Sequence, residues 1–200
     1  MDFQRILYFL PGIILGLTVH EYCHALCAFK LGDDTAREKG RLTLNPVRHI
    51  DPIGFLFIVF AGFGWARPVE FDPGRLRHPV RDRALIALAG PLSNLLLGIL
   101  ILLTMRFALH FGRPSQTALS LMFFSAYINF ALFVFNMLPI PPLDGSHVVF
   151  AGIKLRPETE AIFQKIGLPI LLLLIILQNF VGITVLPIGT LAMGLIGLFL

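Results

Sequence analysis

The sequence predicts an all-α polytopic membrane protein with about five to six transmembrane or re-entrant segments and a small β element beside its polar centre. Three observations carry this expectation. Of the 200 residues, 56% are hydrophobic and only 14% are charged, where an ordinary soluble domain has about 25% charged; mean hydropathy is +0.81. Three apolar stretches, 6–31, 84–103 and 118–138, reach the ~20 residues that a hydrocarbon core about 30 Å thick requires. Five Lys or Arg in 30–48 and five more in 67–83 form two basic loops that account for most of the formal charge of +4. Basic and aromatic residues are not interleaved, so a nucleic-acid role finds no support.

The first stretch, Ile6 to Leu31, follows Arg5 much as a signal peptide would, but no small-residue cleavage site follows it, and it is expected to remain in the mature chain. IGFLFIVFAGFGWA, residues 53–66, is short for a full crossing, and its three glycines weaken a helix. The positive-inside rule places both flanking basic loops in the cytoplasm. That placement holds only if 53–66 dips in and returns. The 6–31 helix then runs inward, the 84–103 helix back out, and the 118–138 helix inward again. GRLTLNP (40–46) and ARPVEFD (66–72) alternate loosely among turn formers and suggest short strands. Beyond Lys165 an apolar tail broken by Pro169, Gln178, Asn179, Gly182 and Pro187 reads as two short passes, or as one pass with a re-entrant piece. No internal repeat stands out. Residues 1–200 are expected to form one domain, with its core in 1–150 and apolar C-terminal segments in 160–200.

VHEYCHA, residues 19–25, places two imidazoles and a carboxylate inside the first span. On insertion scales one unpaired acidic group at that depth costs about 2.5–3.5 kcal/mol, so such groups mark working sites. His20, Glu21 and His24 form H-E-x-x-H: histidines at i and i+4 share a helix face and can share one zinc, with Glu21 placed to take a proton from the attacking water. Catalytic zinc normally has three protein ligands, so a third must come from elsewhere. Asp144 is the best candidate, because it follows the 118–138 span at matching depth, in NMLPIPPLDG (136–145). Pro139, Pro141 and Pro142 deny that stretch a regular helix, and Gly145 allows the chain to turn. A rival set, His20, Cys23, His24 and Cys27, also lies on one face. Four ligands would close the site and make it structural.

HEYCH (20–24), AGPLSN (89–94) and NMLPIPPLDG, with GRLTLNPVRHIDPIG and FGWARPVEFDP between them, together resemble the site-2 protease family of intramembrane zinc metallopeptidases, in its compact form without regulatory domains. The likeness covers roughly residues 10–150. It implies one Zn2+ per chain held by His20, His24 and Asp144, with Glu21 as general base and later proton donor to the leaving amine. It also implies that Asn136 holds the substrate backbone or the developing oxyanion; a helix–helix hydrogen bond is the alternative for Asn136. Asn94 shares that ambiguity and leans structural. A strand beside the metal, for which GRLTLNP is the candidate, would pair with an unwound substrate.

The resemblance further implies a transmembrane protein as substrate and a lipid bilayer as surroundings. The chain is expected in a prokaryotic inner membrane with its site toward the cytoplasm. The alternative function is a membrane protein that binds or moves divalent metal without proteolysis. His147 is expected in a supporting or loop role, and His49, His78 and His110 in water. Asn45, Asp51 and Ser146 are candidates to line a water passage.

Overall fold

A computed structural model describes residues 3–61, 64–153, 155–182 and 184–199. The described residues form helices α1 (Phe3–Lys30), α2 (Thr35–Glu38), α3 (Pro52–Ala61), α4 (Pro79–Phe111), α5 (Gln116–Asn136), α6 (Asp144–Ile153), α7 (Pro157–Ile176) and α8 (Ile188–Gly197). Four of them, α1, α4, α5 and α7, are long and apolar enough to cross a membrane. These four account for part of the expected five to six transmembrane or re-entrant segments. The tail is one long helix followed by the ten-residue α8, which a π turn at Leu177–Val181 and left-handed Gly182 separate from it. Gln178 Oε1 accepts the Leu186 N–H at 2.9 Å and ties the bend together.

Helix α4 shows how the sequence sorts lipid from protein. Leu96, Leu100, Leu103, Phe107 and Phe111 are exposed and recur at helical spacing, as a lipid-facing stripe does. The opposite face buries Ala87, Gly90, Asn94, Gly98, Leu102 and Met105. Leu102 and Met105 form a core with Ala126 and Phe130 of α5 and Ala192 and Ile196 of α8. Helices α1, α4 and α5 pack on one another, and α6 packs on α4. The polar groups of the site lie between these elements.

The helix starts are set locally. Asp82 reaches back to accept the His78 N–H at 2.9 Å, with Pro79 at the first helical position of α4. Ser115 Oγ accepts the Ala118 N–H at the start of α5.

The segment 53–66 leaves and returns on one side. Ile50 and Ala66 form an isolated antiparallel bridge, and the Arg67 N–H donates to the His49 carbonyl at 2.7 Å. Between them lies α3, whose ten residues span only about 15 Å; residues 62 and 63 lie outside the described residues. Both basic loops consequently share one face. Lys39 pairs with Glu70, Arg75 with Glu38, and the Arg41 guanidinium donates to the Arg67 carbonyl. Asp33, wholly buried, accepts from the Thr35 N–H and hydroxyl and from the Asp72 N–H. Burial pushes its carboxyl up, but these hydrogen bonds outweigh it and hold the group below its ordinary value.

No strand forms among the described residues, so the expected β element is reduced to the one bridge. GRLTLNP instead bends into a short 3-10 turn at Pro46–Arg48. Its side chains satisfy its own backbone: Thr43 Oγ1 accepts from the Asn45 N–H, and Asn45 Oδ1 from the Val47 N–H. Such local bonds compete with strand pairing. His49 is also not in water; it is 0% exposed, its Nε2 donates to the Thr43 carbonyl at 2.6 Å, and burial lowers its pKa.

Candidate metal centre

His20 and His24 lie two-thirds of the way along α1, one turn apart, and both are buried. Asp144 is the first residue of α6, where its negative charge suits the helix N-terminus. Helix α5, the bend at 137–143 and the start of α6 carry it to α1. Asp144 Oδ2 lies 3.1 Å from His20 Nε2 and 3.4 Å from His24 Nε2, and the two Nε2 atoms are 2.9 Å apart. Among the described residues this trio is the one group of His, Cys, Asp or Glu side chains whose ligand atoms all lie within 4.8 Å of one another.

The outward-facing ring nitrogens fix the tautomers. His24 Nδ1 is 2.7 Å from the Ile86 carbonyl of α4, which can only accept, so Nδ1 carries the proton. His20 Nδ1 donates to Asn94 Oδ1 at 2.6 Å. Each Nε2 then presents a lone pair to the other and to a carboxylate oxygen. Three acceptors converge with no protein proton between them, the situation a cation resolves. Two imidazole nitrogens and a carboxylate oxygen suit zinc and leave a coordination position for water or substrate. Outer partners of this kind orient the ligands.

Gly90 on α4 completes the cradle. A Cβ there would stand 2.6 Å from His20 Nε2, closer than real contacts allow. In an open helix, Gly→Ala stabilises by roughly 0.5–1 kcal/mol. Gly90→Ala is expected to do the reverse here, displacing both rings and weakening zinc binding, as read by metal content after dialysis. Full zinc retention with a raised melting temperature would show that the cradle is not required.

The sequence model of Peptidase family M50 matches residues 112–176. Over 148 residues the chain is 43% identical to "Putative zinc metalloprotease YwhC" of Bacillus subtilis, covering 71% of this chain and 67% of that protein. The chain belongs to peptidase family M50, the site-2 protease family of zinc metallopeptidases. Rip2 of Mycobacterium tuberculosis, which bears the same designation, is 34% identical over 158 residues, 76% of this chain and 58% of that one. The chain thus spans between about half and two-thirds of these relatives' lengths. No solved structure matches it.

In this M50 chain the cysteines take no part in the trio. Cys23 and Cys27 are free thiols, and α6 contributes a carboxylate in place of the rival Cys–His set. Glu21, 7% exposed, points to the loop after α3, where its Oε2 accepts the Val69 N–H at 3.0 Å. Asn136 lies at the end of α5 and donates from Nδ2 to the Leu132 carbonyl at 3.0 Å. His147 Nδ1 is buried with no hydrogen-bond partner among the described residues.

Gly145 lies inside α6 rather than in a turn, and glycine is needed because a Cβ would stand 2.7 Å from the Leu138 carbonyl oxygen. The three residues suggested for a water passage serve local roles: Asn45 caps the 3-10 turn, Asp51 accepts the Gly54 N–H, and Ser146 is wholly buried and donates to the Leu143 carbonyl. Asn94, read as leaning structural, touches His20 directly. Asn129, the Ile86 carbonyl and the Val69 N–H had no part in the sequence reading. The one available signal was the polarity of Asn129 within an apolar span.

Proposed function

We propose that this chain is an intramembrane endopeptidase that hydrolyses a peptide bond within or near a transmembrane segment of another membrane protein. The ligands are His20, His24 and Asp144, and Glu21 is the general base. The observation that carries this reading is the convergence of those three buried or half-buried ligands between helices long and apolar enough to span a bilayer. The shared face of the basic loops supports a cytoplasmic orientation in an inner membrane by the positive-inside rule.

Bound zinc supplies Lewis acidity, polarising the scissile carbonyl and bringing the pKa of water toward about 7. The protein supplies the rest. His20 and His24 offer Nε2 because Asn94 and Ile86 hold the opposite nitrogens. Glu21, steadied by the Val69 N–H, accepts the proton of the attacking water and returns it to the leaving amine. Asn136 is the proposed contact for the substrate backbone, its amide turning from the Leu132 carbonyl to do so. A helical substrate hides its carbonyls in its own hydrogen bonds and must unwind locally before it can be cut. Glycine, proline or asparagine near the bond should therefore speed cleavage.

The test is a labelled transmembrane peptide co-reconstituted with the purified protein in liposomes. Cleavage is expected, stopped by a zinc chelator and restored by added zinc. Tight zinc retention with no cleavage across a broad peptide panel would instead favour metal binding or transport.

A further inference from the structure

Asn129 is the far end of a chain of buried hydrogen bonds that finishes on His20. Asn94 on α4 and Asn129 on α5 are both 0% exposed. Asn94 Oδ1 accepts the hydrogen bond from His20 Nδ1–H. A side-chain amide has an oxygen and a nitrogen of nearly equal size, so its surroundings decide which way round it sits. For Asn94 two acceptors decide: the Gly16 carbonyl of α1, 3.0 Å from Nδ2, and Asn129 Oδ1, 2.9 Å from Nδ2. Turned over, Asn94 would face two oxygens with its own oxygen and offer His20 a donor. Asn129 is fixed in the same way, since its Nδ2 donates to the Ser125 carbonyl at 2.8 Å and to the Gly12 carbonyl at 3.4 Å. Every donor and acceptor of the pair has a partner, and three helices are joined through them.

We propose that Asn129 is a positioning residue for the metal. By setting the direction of the Asn94 amide it sets the tautomer of His20, and so keeps the Nε2 lone pair turned toward His24 and Asp144. A His20 protonated on Nε2 cannot ligate. Asn129 does this without touching a ligand, from a helix that contributes none of the three. The inference rests on His20, His24 and Asp144 being the zinc ligands.

A double-mutant cycle on zinc affinity, measured by competition with a chromophoric chelator, tests it. Asn94→Leu is expected to weaken zinc by about 10–100-fold, the usual effect of losing an outer partner, and Asn129→Leu by about tenfold. In the Asn94→Leu background Asn129→Leu should add less than about twofold, because coupled residues are not additive. Asn129→Asp, neutral when buried in this way, keeps the acceptor for Asn94 and only one O–H donor in place of the two amide donors to α1 and α5, so it should stay within about threefold of wild type. The visible spectrum of the Co2+-loaded protein should change in Asn129→Leu and not in Asn129→Asp. Met105→Ala, in the core among α4, α5 and α8, should lower the melting temperature and leave zinc affinity alone. Should Asn129→Leu not fold, Asn129→Ala takes its place in the cycle.

A purely structural Asn129, one that only docks α5 on α1, would make Asn129→Asp as weak as Asn129→Leu and the two Leu effects additive. Either result overturns the inference, as does an Asn129→Leu protein with unchanged affinity. A wild type that held no zinc would remove the reading of the site and this inference with it; a zinc-loaded wild type with any of those three results overturns the inference alone.

Discussion

Glu21→Gln is expected to lower peptide cleavage by about 10²–10⁴-fold, the contribution of a positioned general base, while the protein keeps one zinc per chain. The two halves of that expectation have separate physical causes. Gln is isosteric and still presents an oxygen to the Val69 N–H, so the contact at 3.0 Å between α1 and the loop after α3 survives. The trio of His20, His24 and Asp144 is untouched. What disappears is a group that can take a proton. Single-turnover cleavage of the labelled peptide in liposomes, run beside metal analysis of the same preparation, measures both halves. A variant cutting at more than a tenth of the wild-type rate would assign the base to another residue.

Asp144→Ala removes the one proposed ligand that α1 does not supply. Loss of an outer partner alone costs about 10–100-fold in metal affinity, so loss of a ligand should exceed about a hundredfold and abolish cleavage with it. The helix-terminal charge of Asp144 is worth only about 0.3–1 kcal/mol, so α6 should stay folded and the loss should be confined to metal and activity. Two imidazoles at 2.9 Å remain, sharing lone pairs with no carboxylate. Zinc titration with far-ultraviolet circular dichroism as the folding control separates the effects. A variant that retained zinc within about threefold of wild type, less than even the loss of an outer partner costs, would place the third ligand elsewhere.

The convergence of His20, His24 and Asp144 was legible because its signals are physical and rare. Histidines at i and i+4 share a helix face, and Asp144 is an acid set just after a span, at the depth where those histidines lie. The return of 53–66 was legible from charge: two basic loops on either side of a short apolar segment belong on one face, and the Ile50–Ala66 bridge closes them together. The supporting contacts were hidden for a different reason. The Ile86 carbonyl and the Val69 N–H are backbone groups, which every residue carries, and no sequence pattern marks the two that matter. Nothing in the sequence marks Gly90, whose place against the imidazoles only the packing of α4 on α1 shows. Asn94 and Asn129 could each have been a simple interhelical bond, and only their mutual 2.9 Å contact turns them into a chain leading to His20. GRLTLNP misled because loose alternation suits a strand, whereas its Thr and Asn side chains bond their own backbone.

The proposed metal centre is one divalent cation shared by α1 and the start of α6. X-ray absorption at the zinc edge of the purified protein tests this most directly. It should show one zinc per chain with nitrogen and oxygen neighbours at about 2.0–2.2 Å and no sulfur shell at about 2.3 Å, and the signal should vanish in Asp144→Ala. A sulfur shell, or zinc bound unchanged without Asp144, would contradict it.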